Sequence, residues 1–208
     1  MAELEKVILS EDPEVYMTKD MLTLEECQHF IEISRTKMKQ ALVADEKEGV
    51  VSPGRTGRNC WISHDYDDIS KQVAQRISSY VGHSLENAES FQVIHYGKLQ
   101  EYDQHFDAWE NDESAKTNRC MKRGGQRLLT AICYLNDVQE GGGTHFPLLN
   151  ITSVAKSGKI LVFMNCEKGT SNRHAKSLHA GLPVLSGEKW AFNLWFREKK
   201  YDRAKLAH

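Results

Sequence analysis

The chain has 208 residues, 40% of them hydrophobic and 27% charged, with a formal net charge of -2. That profile is of a soluble globular protein rather than a disordered one. So small a net charge gives no long-range pull toward nucleic acid or an anionic membrane, neither of which is expected as a partner, and no apolar run approaches the roughly 18 residues needed to cross a bilayer.

The N-terminal stretch Met1-Ala2-Glu3-Leu4-Glu5-Lys6 is charged and lacks the apolar core of a signal peptide, so a cytoplasmic protein is expected. Thr23-Leu24-Glu25-Glu26 carries the capping-box pattern, and Cys27, Phe30, Ile31 and Met38 follow at helical spacing. These predict a helix over residues 24–40. A second helix is expected from Asp68 as N-cap, with Ile69, Val73 and Ile77 as its apolar stripe and Gly82 as its stop. Past residue 90 come short segments rich in β-branched and aromatic residues: Phe91 to Tyr96, Arg127 to Leu135, Lys159 to Met164 and Lys189 to Phe196. Turn-like stretches at Gly124-Gly125, Gly141-Gly142-Gly143, Ser157-Gly158 and Ser186-Gly187 separate them. Helices first and strands afterwards predict a mostly β chain of α+β class, in which helices buttress a β-sandwich or barrel. The length suits one domain over residues 1–208, with a helical portion over about 14–82 and a β core over about 88–198.

The polar stretch from Ala108 to Arg123, which includes Asn111 and Glu113, joins two of these strands. So long a loop in a compact domain is either a functional lid or disordered. The segment Ser52 to Arg58 is a second flexible candidate. The five cysteines, Cys27, Cys60, Cys120, Cys133 and Cys166, are odd in number, widely spread and free of any CxxC, which points to reduced thiols rather than disulfides or a zinc site.

The most informative string is Tyr102-Asp103-Gln104-His105-Phe106-Asp107. On a strand, residues i and i+2 share a face, so His105 and Asp107 present an imidazole and a carboxylate together. A second histidine would complete the two-His, one-carboxylate set of non-haem Fe(II) oxygenases, which leaves three metal positions open for an α-keto acid and O2. Spacing alone does not choose it among His29, His64, His83, His95, His145, His174, His179 and His208. His179 stands out by its context, Ser177-Leu178-His179-Ala180-Gly181, with Lys189 following ten residues later in the last strand pattern. A lysine inside an otherwise apolar strand is costly to bury without an anion, and the distal carboxylate of 2-oxoglutarate is one such anion.

Six separated motifs, in order, resemble the prolyl 4-hydroxylases. They are Phe91 to Gly97, Tyr102-x-x-His105-x-Asp107, Gly124-Gly125-Gln126-Arg127, Tyr134 to Val138, Gly142-Gly143-Thr144-His145-Phe146-Pro147, and Ser177 to Trp195. The resemblance covers roughly residues 14–197. It implies a double-stranded β-helix, or jelly-roll, core that uses Fe(II), 2-oxoglutarate and O2, with ascorbate to rescue over-oxidised iron. It implies iron ligands at His105, Asp107 and His179, and Lys189 on the 2-oxoglutarate C5 carboxylate with Thr144 and Tyr96 as hydroxyl partners. It places Tyr102, Arg127, Trp195 and Arg197 along a groove for a proline-containing peptide or protein. The regions around Arg55-Thr56 and Ala108 to Arg123 resemble the family's substrate-closing loops. Two positions depart from the pattern: Gly143 stands where an acidic residue is usual, and His145 where a small or apolar one is common. Without the signal segments and disulfides of secretory members, a bacterial, viral or cytosolic relative is expected. The rival readings are the same chemistry on free proline, another small molecule or another residue, and a non-catalytic cupin-like metal binder.

Overall fold

The computed structural model describes residues 4–44, 49–50, 52–110, 112 and 114–202. Met1, Ala2 and Glu3 of the N-terminal stretch, Asn111 and Glu113 of the polar segment, and His208 lie outside them.

The elements begin with strands β1 (Val7–Glu11) and β2 (Glu14–Thr18), followed by helix α1 (Leu24–Arg35). Short strands β3 (Lys39–Gln40), β4 (Val43–Ala44) and β5 (Gly49–Val50) lead to β6 (Arg58–Ile62) and helix α2 (Asp68–Val81). After them come β7 (Phe91–Tyr96), β8 (Tyr102–His105), helix α3 (Ala115–Met121), β9 (Arg127–Tyr134), β10 (Glu140–Gly141), β11 (Thr144–Phe146) and β12 (Ile151–Ser153). The chain closes with β13 (Ile160–Met164), β14 (His179–Gly181), β15 (Val184–Ser186) and β16 (Lys189–Arg197).

The capping box forms at α1: Thr23 Oγ1 accepts the Glu26 N–H at 3.1 Å, and Glu26 Oε2 accepts the Thr23 N–H at 2.9 Å. The helix ends at Arg35 rather than at residue 40, because Lys39 and Gln40 pair with Asn59 and Arg58 across β6. Sheet pairing there overrides helical propensity. At α2 the N-cap is Asp67, not Asp68; its carboxylate accepts the Ser70 N–H at 2.8 Å. Val73 and Ile77 are fully buried as expected, but Ile69 is 36% exposed. Gly82 ends the helix in the left-handed conformation, φ +70°, where glycine meets no Cβ penalty.

One antiparallel sheet of eight strands runs in the order β1-β2-β13-β9-β16-β7-β6-β3, and a smaller sheet runs β12-β11-β14-β8. Both faces of the large sheet are covered, which is why its central strands read as nearly continuous apolar runs. Alternate residues face α1 and α2: Phe91 and Val93, Leu129 and Ala131, Phe192 and Leu194 pack with Phe30, Val73 and Ile77. The other set, Ile94, Tyr96, Ile132, Tyr134, Leu161 and Ala191, packs with Phe146 of the small sheet. The same inner face carries the polar residues Gln92, Thr130, Lys189 and Asn193. Polar side chains on an otherwise apolar buried face mark where chemistry is housed.

This is the expected jelly-roll, buttressed by helices. The expectation of helices before strands was too simple, since β1, β2, β3 and β6 all join the large sheet. The polar stretch at 108–123 is also not all loop: α3 forms within it, with Ser114 Oγ accepting the Thr117 N–H. The segment at 52–58 is tied down by bonds from Thr56 N to the Glu101 carbonyl and from Asp103 N to the Gly54 carbonyl. All five cysteines are free and buried. No helix among the described residues is long and apolar enough to cross a membrane.

Candidate metal centre

The register of the small sheet assembles the centre. β14 pairs with β8 so that His179 lies opposite His105, and Asp107 follows two residues beyond the strand end. Facing residues of an antiparallel pair bring their side chains together. His105 Nε2 is 3.9 Å from Asp107 Oδ1, and His179 Nε2 is 3.7 Å from Asp107 Oδ2. Ligand atoms of the three residues all lie within 4.8 Å of one another. The other described histidines are engaged elsewhere. His29 meets Asp67, His64 the Glu89 carbonyl, His95 Glu188, His145 Thr152 and His174 Asp12, while His83 packs near Phe196.

Local chemistry prepares the three donors. Each imidazole has Nδ1 against a carbonyl, His105 with Asp103 O at 2.7 Å and His179 with Ser177 O at 2.9 Å. A carbonyl only accepts, so Nδ1 carries a proton and Nε2 is the nitrogen turned toward the other donors. Burial, with His179 alongside, pushes the His105 pKa down to about 3, so the ring is neutral at physiological pH. Burial pushes the Asp107 carboxyl the other way. The two imidazoles, Arg127 and the Thr130 hydroxyl outweigh that and hold it below the usual carboxylate range, so it is ionised.

The centre opens into a cleft of about 1090 Å³. Lys189 lies in its wall, 3% exposed, across the β7–β16 register from Tyr96. Its Nζ is 5.5 Å from the centre of the Tyr134 ring and 5.9 Å from that of Tyr96. No carboxylate among the described residues pairs with it, and burial alone pulls its pKa down to about 8. Tyr134 Oη donates to Thr144 Oγ1 at 2.8 Å, which leaves the Thr144 proton free to be donated into the cleft.

The expected groove residues fall into two kinds. Tyr102 stacks on His105 with ring centroids 3.6 Å apart, and the Arg55 guanidinium lies 4.6 Å from its ring centre. Arg127 lies 3.7 Å over Trp195 and reaches Glu89 through two bonds, of 2.6 and 2.9 Å. Arg197 also lines the cleft, but it is only 2% exposed and its donors are committed to Glu89, the Cys120 carbonyl and the Gly125 carbonyl. Sequence reasoning missed Glu89, which sits just before β7 and anchors both arginines. A lone acidic residue before an apolar strand was the available signal.

Burial raises the Glu89 pKa, but Arg127 and Arg197 together bring it below the ordinary value. The sign follows from linkage. A carboxylate whose folded pKa is depressed stabilises fully above its unfolded pKa, and loses that contribution as the pH falls through the folded one. Glu89→Gln is expected to lower stability by about 3–5 kcal/mol at pH 7, the cost of breaking a buried pair from one side. Urea unfolding as a function of pH checks this: the gap to wild type should begin to narrow as the pH falls below the unfolded glutamate value of roughly 4.3 and close as it falls through the lower folded one.

Two imidazoles with Nδ1 turned to a carbonyl, together with one ionised carboxylate, suit a divalent iron, and a buried lysine with no carboxylate partner among the described residues suits a dicarboxylate co-substrate. The comparisons agree. Residues 91–197 match the family model described as the 2OG-Fe(II) oxygenase superfamily. A putative prolyl 4-hydroxylase of Acanthamoeba polyphaga mimivirus is 34% identical, over 90% of this chain and 75% of that protein. Probable prolyl 4-hydroxylase 7 of Arabidopsis thaliana is 32% identical, over 94% of this chain, and this chain spans 66% of its length. Among solved structures, the 2OG complex of the viral collagen prolyl hydroxylase from Paramecium Bursaria Chlorella virus-1 superimposes with a TM-score of 0.69 at 26% identity, covering 87% of this chain and 94% of that one.

Proposed function

This chain belongs to the prolyl 4-hydroxylase family of 2OG-Fe(II) oxygenases, and from that premise we propose that it hydroxylates C4 of prolyl residues in a peptide or protein. The observation that carries the reading is the buried Lys189, with no carboxylate partner among the described residues, in the same cleft as the His105, Asp107 and His179 donors. In the overall reaction, 2-oxoglutarate, O2 and the prolyl C–H yield succinate, CO2 and 4-hydroxyproline, so one oxygen atom enters each product chain. Iron, when bound, supplies O2 activation and the oxidising power for the unactivated C–H bond.

His105, Asp107 and His179 would hold the iron. Lys189 takes the C5 carboxylate, and Thr144 and Tyr96 donate hydroxyl protons to it. Tyr102, Trp195 and Arg127 form the wall against which a peptide lies. The Arg127 guanidinium is held in plane by Glu89, so its outer edge is pre-aimed at a peptide carbonyl. Arg197 supports that wall through Glu89. The apolar faces around Ile94, Ile132 and Trp195 exclude water from the reacting carbon. Residues 1–208 are taken as one catalytic domain, a reading supported by the strands that the N-terminal portion lends to the large sheet. Ascorbate serves as the reductant for iron oxidised in turnover without substrate.

The test is succinate release with Fe(II), 2-oxoglutarate and ascorbate, together with mass spectrometry of a proline-rich peptide. Succinate and one added oxygen on proline should appear in equal amounts. Faster turnover of free proline would redirect the reading to a small molecule. Metal binding with no turnover on any peptide would favour a non-catalytic binder.

A further inference from the structure

We infer that Thr130 and Asn165 form a hydrogen-bond relay of fixed polarity that positions the Asp107 carboxylate to bind the metal through one oxygen; this rests on the metal-ligand reading of His105, Asp107 and His179. Thr130 lies on β9 and Asn165 just beyond the end of the neighbouring strand β13, and both are fully buried. Asn165 Nδ2 is 2.8 Å from Thr130 Oγ1, and Thr130 Oγ1 is 2.6 Å from Asp107 Oδ2.

The proton positions follow from chemistry. An amide nitrogen only donates and an ionised carboxylate only accepts, so each proton points from Asn165 toward Thr130 and from Thr130 toward Asp107. The opposite amide orientation would set Asn165 Oδ1 against a hydroxyl oxygen whose proton is already given to Asp107. Two acceptors would then face each other in a dry interior. The chosen orientation leaves Asn165 Oδ1 buried with no hydrogen-bond partner among the described residues.

The backbone of Asn165 extends the support to a second donor. Its carbonyl accepts from His174 N at 2.9 Å, Ser177 Oγ donates to the His174 carbonyl at 2.7 Å, and the Ser177 carbonyl accepts the His179 Nδ1 proton. One residue therefore helps to set both Asp107 and His179. A short O–H···O bond to Oδ2 also weakens that oxygen as a metal donor, which would favour binding through Oδ1. Thr130 and Asn165 act through Asp107 and are positioning residues.

The experiment titrates metal-free protein with Co(II), followed by visible absorption, and measures the melting temperature without metal. Thr130→Val should weaken Co(II) binding about 10–100-fold and change the absorption spectrum, whereas Thr130→Ser should stay within about threefold of wild type. Asn165→Asp should weaken binding similarly, because the new carboxylate competes for the Thr130 proton. Wild-type affinity and spectrum in Thr130→Val would overturn the relay. So would a Thr130→Ser as weak as the valine variant, which would assign the effect to packing. Should Thr130→Val not fold, Asn165→Asp decides: wild-type Co(II) binding in it overturns the relay. Failure of the wild type to bind Co(II), or undiminished binding by His179→Ala, would overturn the ligand reading itself.

Discussion

His179→Ala is expected to abolish succinate production and to weaken Fe(II) or Co(II) binding by more than about 100-fold, beyond what losing a supporting group alone costs. His179 is buried, its Nε2 is 3.7 Å from Asp107, and its ring packs against Phe146 and Phe163. Alanine removes one of three donors and opens a space that no neighbouring side chain on the strand can fill with a nitrogen. His174→Ala is the matched control. His174 lies five residues earlier, bonded to Asp12 and to the Lys176 N–H, and its loss should leave metal affinity near wild type. Calorimetric titration of both variants separates a ligand from a neighbouring histidine. A His179→Ala protein with full turnover would remove the basis of the site.

Lys189→Met is expected to have opposite effects on the free protein and on catalysis. Burial lowers the Lys189 pKa from the usual 10.5 to about 8 in the folded chain. Because the charged form is the disfavoured one, the folded state is penalised most where lysine is charged in both states, below about pH 8. The penalty, on the order of 3 kcal/mol, fades as the pH rises toward the unfolded value. Lys189→Met should therefore melt at a higher temperature than wild type at pH 7 without co-substrate, and the difference should shrink above pH 8. Addition of 2-oxoglutarate should raise the wild-type melting temperature and leave the variant unmoved, since ligand stabilisation follows affinity. The KM for 2-oxoglutarate should rise by about 100-fold or more, the scale of losing one side of a buried charge-assisted contact. A variant still stabilised by 2-oxoglutarate would show that the anion is held elsewhere. A less stable variant would mean that Lys189 has an anionic partner within the fold.

Much of this was legible in the sequence because it is local. The capping box at Thr23 and Glu26 is read three residues apart, and it forms as written. The β-branched and aromatic runs at 91–96 and 189–196 lie in strands whose two faces are both covered. His105 and Asp107 share a face because they are two residues apart. Lys189 announced itself as a cation in an apolar run, and no carboxylate among the described residues pairs with it.

What only the tertiary structure decided involves residues far apart in the chain. His179 could be singled out by its context but not separated from the other histidines by spacing. The pairing of β14 with β8 sets it opposite His105, 74 residues away, and no local pattern encodes that register. Glu89 and Arg197 are 108 residues apart, so no local pattern could show that Arg197 and Arg127 share one buried carboxylate. The Thr130 and Asn165 bond spans 35 residues across two strands. Short-range periodicity and capping dictate which elements form and which side chains share a face. Long-range sheet register, driven by burial of both faces, decides which of those faces meet, and therefore which donors surround the metal.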